Sequence, residues 1–122
     1  MIKKPKFIYN DLYHSNIWFY DNHAQEHFLA DVKKRLGFSF NVNDARARTI
    51  ELTTEKHNII VIWINRKQKI KEVLTGLGHE CVHATNIILA RAGVYANHDN
   101  DEAQAYLHEW IFDRLIKDLK LK

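Results

Sequence analysis

The chain has a single cysteine, a single proline and only four glycines among its 122 residues. One thiol cannot form an internal disulfide, and its presence alone suits a reducing compartment. No apolar run is long enough to span a bilayer. The basic start, Met1-Ile2-Lys3-Lys4-Pro5-Lys6, lacks the apolar stretch and small-residue cleavage site of a secretory signal. These absences predict a cytoplasmic protein with no membrane contact. Repeats, low-complexity stretches and linkers are absent too, so residues 1–122 are expected to form one domain. The excess of 18 basic over 15 acidic residues gives +3, too little to imply a nucleic-acid partner. The basic clusters Lys33-Lys34-Arg35 and Arg66-Lys67-Gln68-Lys69 with Lys71 fall on predicted helix surfaces and read as solvated faces.

What is present reads as an α+β fold. Asn16-Ile17-Trp18-Phe19-Tyr20 is aromatic and β-branched, the signature of a strand. A helix is expected from about Ala24 to Leu36, capped by Asp21 or Asn22 and ended by Gly37. Phe38 to Val42 is expected as a short strand. Arg48 to Thr53 and Ile59 to Asn65 predict an antiparallel hairpin around Glu55-Lys56-His57-Asn58. The run Ile59-Ile60-Val61-Ile62-Trp63-Ile64 is apolar on both alternations, which predicts a central strand covered on both faces. Asn65 and Gln68 resemble a capping box that opens a long helix from about Lys67 to Ala92. A last helix is expected to run from near Asp99 to about Leu119, burying Ala103, Tyr106, Leu107, Trp110, Ile111 and Leu115, and to pack on the long one.

The long helix carries His79-Glu80-Cys81-Val82-His83, an HExxH motif. Histidines four apart on a helix lie one turn above each other, so both rings can reach one metal ion, and the glutamate between them can take the proton of a bound water. At 100° per residue, Ile70, Val73, Leu74, Leu77, Cys81, Ala84, Ile88 and Ala92 form one apolar stripe. His79 and His83 fall on the other side with Glu72, Gly76, Asn86 and Ala90. Cys81 therefore reads as a packing residue. Gly76 and Gly78 weaken the helix, which suggests a close approach to its backbone there.

A catalytic zinc site takes three protein ligands and leaves a place for water. His98, Asp99, Asp101, Glu102 and His108 are the downstream candidates. Glu102 is the first choice, because it lies on a regular element and completes a His-His-Glu set; it also fits as the third residue of a capping box begun by Asp99. Asp99, Asp101 or Asn86 could instead orient a histidine's second ring nitrogen. Tyr95, His98, Tyr106 and His108 are candidates for stabilising an oxyanion.

The motif, with Asp101-Glu102-Ala103-Gln104-Ala105-Tyr106 after it, resembles the gluzincin-type minimal zinc peptidases. These include the minigluzincins and the ImmA/IrrE-type proteases of mobile elements, and compact phage proteins share the layout. The resemblance covers Ile59 to Leu119 and implies a zincin-like fold, with a small, mostly antiparallel sheet packed on the motif helix and two further helices. It also implies a Zn2+ ion held by His79, His83 and Glu102, with Glu80 as general base, and a peptide-bond hydrolase acting on a protein or peptide substrate. The family's substrate-binding strand would correspond to Ile59 to Asn65. The SprT-like proteases use a third histidine, and on their pattern His98 would be the ligand. The spacer from His83 to Glu102 is short, and little chain is left to build a specificity domain. The competing expectation is a zinc-stabilised protein-binding module or regulator without turnover.

Overall fold

The computed structural model describes residues 3–41, 45–53, 58–94 and 101–119. Its elements are β1 (Lys6–Asn10), β2 (Ser15–Tyr20), α1 (Gln25–Leu36), β3 (Ala47–Thr53), β4 (Asn58–Ile64), α2 (Ile70–Arg91) and α3 (Asp101–Leu119). This is an α+β fold built on one four-stranded sheet of order β1-β2-β4-β3. The pairs β1/β2 and β3/β4 are antiparallel, and the central pair β2/β4 is parallel, with Trp18 opposite Val61. No described helix is long and apolar enough to cross a membrane.

The alternation along β4 explains the layers. Ile60, Ile62 and Ile64 point to one face and join Val73, Leu77, Cys81, Ala84 and Ile88 of α2 and Leu107, Ile111 and Leu115 of α3. Ile59, Val61 and Trp63 point to the other face and pack with Phe28, Val32 and Leu36 of α1. Side chains alternate faces along a strand, so a strand apolar at every position needs cover on both sides. The sheet is accordingly held between α1 on one face and α2 with α3 on the other. The α1 layer is tied by an aromatic stack and a hydrogen bond: Phe28 stacks on Trp63 with ring centroids 5.4 Å apart, and Trp63 Nε1 donates to the His23 carbonyl at 2.9 Å.

Several local expectations need correction. β1 has no counterpart in the sequence reading; Lys6 and Asn10 at the ends of a five-residue strand leave too short an alternation to stand out. Phe38 to Asn41 form no strand; Phe38 and Phe40 serve instead as side-chain cover for the α1 cluster, and Val42 lies outside the described residues. Neither α1 nor α2 has a side-chain cap, their first flanking residues being Ala24 and Lys69. Asn65 and Gln68 close a turn rather than cap a helix. Asn65 Oδ1 accepts from the Lys67 amide at 2.9 Å, and Gln68 Nε2 donates to the carbonyls of Asn65 and Arg46. Gly37, with φ of 76°, ends α1 in the left-handed conformation as expected, its amide donating to the Lys33 carbonyl. A methyl group on Gly76 would meet Ile64 and Ala47 at 3.5 and 3.8 Å, ordinary contact, so the backbone is not crowded there. On α3, Leu107, Ile111, Leu115 and Leu119 are buried, whereas Tyr106 and Trp110 are 68% and 38% exposed. The apolar stripe of α3 is wider than the surface α2 and the sheet offer it.

Tyr20 is fully buried beneath α1, and its hydroxyl donates to Asp31 Oδ2 at 2.7 Å. Asp31 also accepts from Arg35 at 2.9 Å. Burial, reinforced by the adjacent Asp31 carboxylate, raises the Tyr20 phenol well above its ordinary value of 10.0. Above that value the unfolded chain loses a proton that the folded chain keeps, so this contribution to stability is present below pH about 10 and is lost as pH rises further. Replacing Tyr20 with Phe is expected to cost about 1–3 kcal/mol near neutrality, because a buried carboxylate loses a donor. Denaturant unfolding as a function of pH should also show a shallower alkaline decline in that variant.

Candidate metal centre

Helix α2 has three flanks. One buries Val73, Leu77, Cys81, Ala84 and Ile88 on the sheet. A second meets α3, where Gln104 Nε2 donates to Asn86 Oδ1 at 2.7 Å and His108 Nε2 lies 3.3 Å from the Gly78 carbonyl. The third leans on β3, the edge strand. The imidazoles of His79 and His83 stand in the strip between the α3 flank and the β3 flank, both exposed.

Their Nε2 atoms are 3.1 Å apart, with ring centroids at 4.8 Å and planes inclined by 78°. Two nitrogens bound at about 2.05 Å to one tetrahedral zinc lie about 3.3 Å apart, so the pair already converges as two ligands of one ion would. The i,i+4 spacing produces this without help from elsewhere in the fold. Glu80 turns the other way, toward β3. It is 7% exposed, and Thr49 Oγ1 donates to its Oε1 at 2.8 Å while also lying 3.2 Å from its backbone oxygen. A cleft of about 400 Å³ opens here, lined by Ala47, Arg48 and Thr49 of β3 and by His79, Glu80, His83 and Ile87 of α2.

Two other contacts hold β3 against the helix. Arg91 Nε donates to Glu51 Oε2 at 2.8 Å, and its terminal nitrogen donates to Thr53 Oγ1 at 3.2 Å. Thr49, Glu51 and Thr53 alternate along the strand and therefore share the face that meets α2. Ile50 and Leu52 take the opposite face, in the α1 cluster. Thr49 carried no signal in the sequence. Nothing local to it indicates that the strand will lie beside a glutamate thirty-one positions on.

The strand beside the motif corrects one inference. Ile59 to Asn65 was the stretch matched to a substrate-binding strand, but β4 is paired on both sides, to β2 and β3, and has no free edge. β3 is the strand with an open edge next to the histidines.

The downstream candidates are placed as follows. Glu102 is exposed in the first turn of α3. It lies nine positions before the buried Ile111, which at about 100° per residue puts it on the opposite side of the helix. Asp101 lines a separate hollow with Val82, Thr85 and His108 on the α3 flank of α2. His108 stacks on Phe112 at 6.0 Å and faces the Gly78 carbonyl, so it links the two helices rather than facing the cleft. Asn86 is taken by Gln104, and Tyr106 lies on the far side of α3 beside the β1–β2 turn. Tyr95, His98 and Asp99 lie outside the described residues. Among the described residues no group of three or more His, Cys, Asp or Glu side chains converges. The donors present therefore fit a divalent ion as a pair, His79 with His83, and not as a complete set. Cys81 is fully buried in the sheet-facing stripe, and burial, with the neighbouring Glu80 charge adding to it, pushes its thiol up to about 12. A thiol so placed packs and does not ligate.

Thr49 is the residue whose removal should be felt most at this site. Thr49→Val would leave the buried Glu80 carboxylate without its donor and is expected to destabilise the fold by about 1–3 kcal/mol, while Thr49→Ser should lose less than half of that. Thermal unfolding of the two variants checks the ordering. No family model matches this chain, and no curated protein or solved structure does so either.

Proposed function

We propose that this protein is a zinc-dependent peptidase. The observation that carries the reading is the pairing of His79 and His83, Nε2 to Nε2 at 3.1 Å, beside a buried Glu80 whose carboxylate is oriented by Thr49. A purely structural metal site has no use for a carboxylate anchored in that position. Zinc held by the two imidazoles would supply a Lewis acid that polarises the scissile carbonyl and acidifies the attacking water. Glu80 accepts the proton of that water and returns it to the leaving amine. In this reading the third protein donor comes from the start of α3, where Glu102 is the carboxylate that the family pattern assigns, although it lies on the side away from the buried Ile111, and Asp101 is the one on the side facing α2. We take β3, an edge strand among the described residues, as the strand with which an extended segment of protein substrate would pair through its backbone amides and carbonyls.

The second reading is a zinc-stabilised binding module without turnover. It rests on the same histidine pair, and hydrolysis alone separates it from the first.

Two measurements test the proposal. One zinc per chain is expected in the wild type, with loss of the metal in His79→Ala and His83→Ala and weakened binding in Glu102→Ala. Unchanged affinity in Glu102→Ala beside weakened affinity in Asp101→Ala would move the third ligand to Asp101. A wild type that binds no zinc would end the metal reading altogether. Glu80→Gln is expected to keep the metal and to lower hydrolysis of an unfolded protein substrate by at least about a hundredfold. Zinc without chelator-sensitive hydrolysis in the wild type would leave the binding module as the surviving account.

A further inference from the structure

Among the described residues β1 and β3 are the edge strands of the sheet, and a second hollow of about 460 Å³ lies at the β1 edge, away from the histidines. The turn joining β1 to β2 forms one wall with Tyr9, Asp11, Leu12 and Tyr13, and α3 forms the other with Tyr106 and Trp110. The turn is held in place locally. Asn10 Oδ1 accepts from the Tyr13 amide at 2.9 Å, and the Tyr9 hydroxyl lies 2.8 Å from His14 Nδ1. Leu12 and Tyr106 are 77% and 68% exposed. Single exposed apolar residues are ordinary, but a contiguous group of them around a concavity marks a contact surface.

The lining selects the ligand. Among the described residues, Tyr106 and Trp110 stack on no other ring and are 68% and 38% exposed, whereas Tyr13 packs against the core. The charged groups at the hollow are of one sign. Asp11 belongs to its wall, and Glu109 stands beside Tyr106 and Trp110 in the adjoining depression. Neither carboxylate forms an ion pair with a described residue, and among the described residues no lysine, arginine or histidine lines either depression; Asp113, also in the second, is paired with Lys117 at 2.9 Å. In a chain with more basic than acidic residues, that is a local reversal of sign. Aromatic faces attract cations through the ring quadrupole, and an adjacent carboxylate adds to the attraction.

We propose that this cleft binds the side-chain cation of a basic peptide segment, a guanidinium or alkylammonium seated against Tyr106 and Trp110 with Asp11 as its counter-charge. The site is independent of the zinc reading, because it shares no residue with the cleft at β3.

Calorimetric titration of the full chain with a blocked peptide of alternating arginine and glycine tests it, beside the same peptide with citrulline for arginine. Citrulline keeps the shape of the side chain while removing its charge and replacing one NH2 donor group with a carbonyl oxygen. The arginine peptide is expected to bind at least about fivefold more tightly, and Tyr106→Ala and Asp11→Asn should each weaken it by about three- to tenfold. Both substituted side chains are exposed, and unchanged thermal unfolding confirms that the fold is intact. Equal affinity for the two peptides would make the hollow an apolar groove and overturn the proposal. Failure of both peptides to bind, or binding indifferent to both substitutions, would overturn it too.

Discussion

Strand β4 has an apolar side chain at six of its seven positions, and the architecture follows from the need to cover both of its faces. A single helix cannot do this. The chain places α1 on one face and the α2–α3 pair on the other, and it brackets the strand with β2 and β3 so that its backbone is paired as well. Once Ile60, Ile62 and Ile64 demand a partner, the long helix must present Val73, Leu77, Cys81 and Ala84 to them. That rotation of α2 fixes where everything else on it points.

The candidate site is a by-product of that rotation. With one flank of α2 on the sheet and another against α3, the remaining strip carries His79 and His83, and its border with β3 carries Glu80. The histidines converge because of helical periodicity, which is a local property. The placement of Glu80 is not local: it depends on the β3–β4 pairing, on Arg91 clasping Glu51 and Thr53, and on Thr49 reaching its carboxylate. One half of the constellation is thus written in five consecutive residues, and the other half in the tertiary fold.

This division sets what could be read from the sequence. The central strand, the β3–β4 hairpin, the three helices and the packing role of Cys81 were legible, because each rests on periodicity or on runs of one residue type. β1 was not, since its alternation is too short. The start of α2 was misjudged because Asn65 and Gln68 carry the residue types of a cap yet spend their hydrogen bonds on a turn. Tyr106 and Trp110 were expected inside because hydrophobic spacing marks a face but not how much surface is available to bury it. Likewise Glu102 was chosen as a ligand because it lies on a regular element and completes a His-His-Glu set, whereas its orientation depends on how α3 rolls against α2.

The parallel seam between β2 and β4 has a bearing on how the sheet is assembled. Each antiparallel pair closes through a short connection, so its two strands can find each other early. The seam joins positions about forty residues apart and carries the largest loop-closure entropy in the sheet. The molecule is therefore two hairpins zipped along a late-forming line, with α1 strung between them. Each open edge belongs to a different hairpin. The strip that carries His79 and His83 lies with the β3–β4 hairpin, whereas the aromatic hollow joins the β1–β2 turn to α3 and is complete only once that seam has closed.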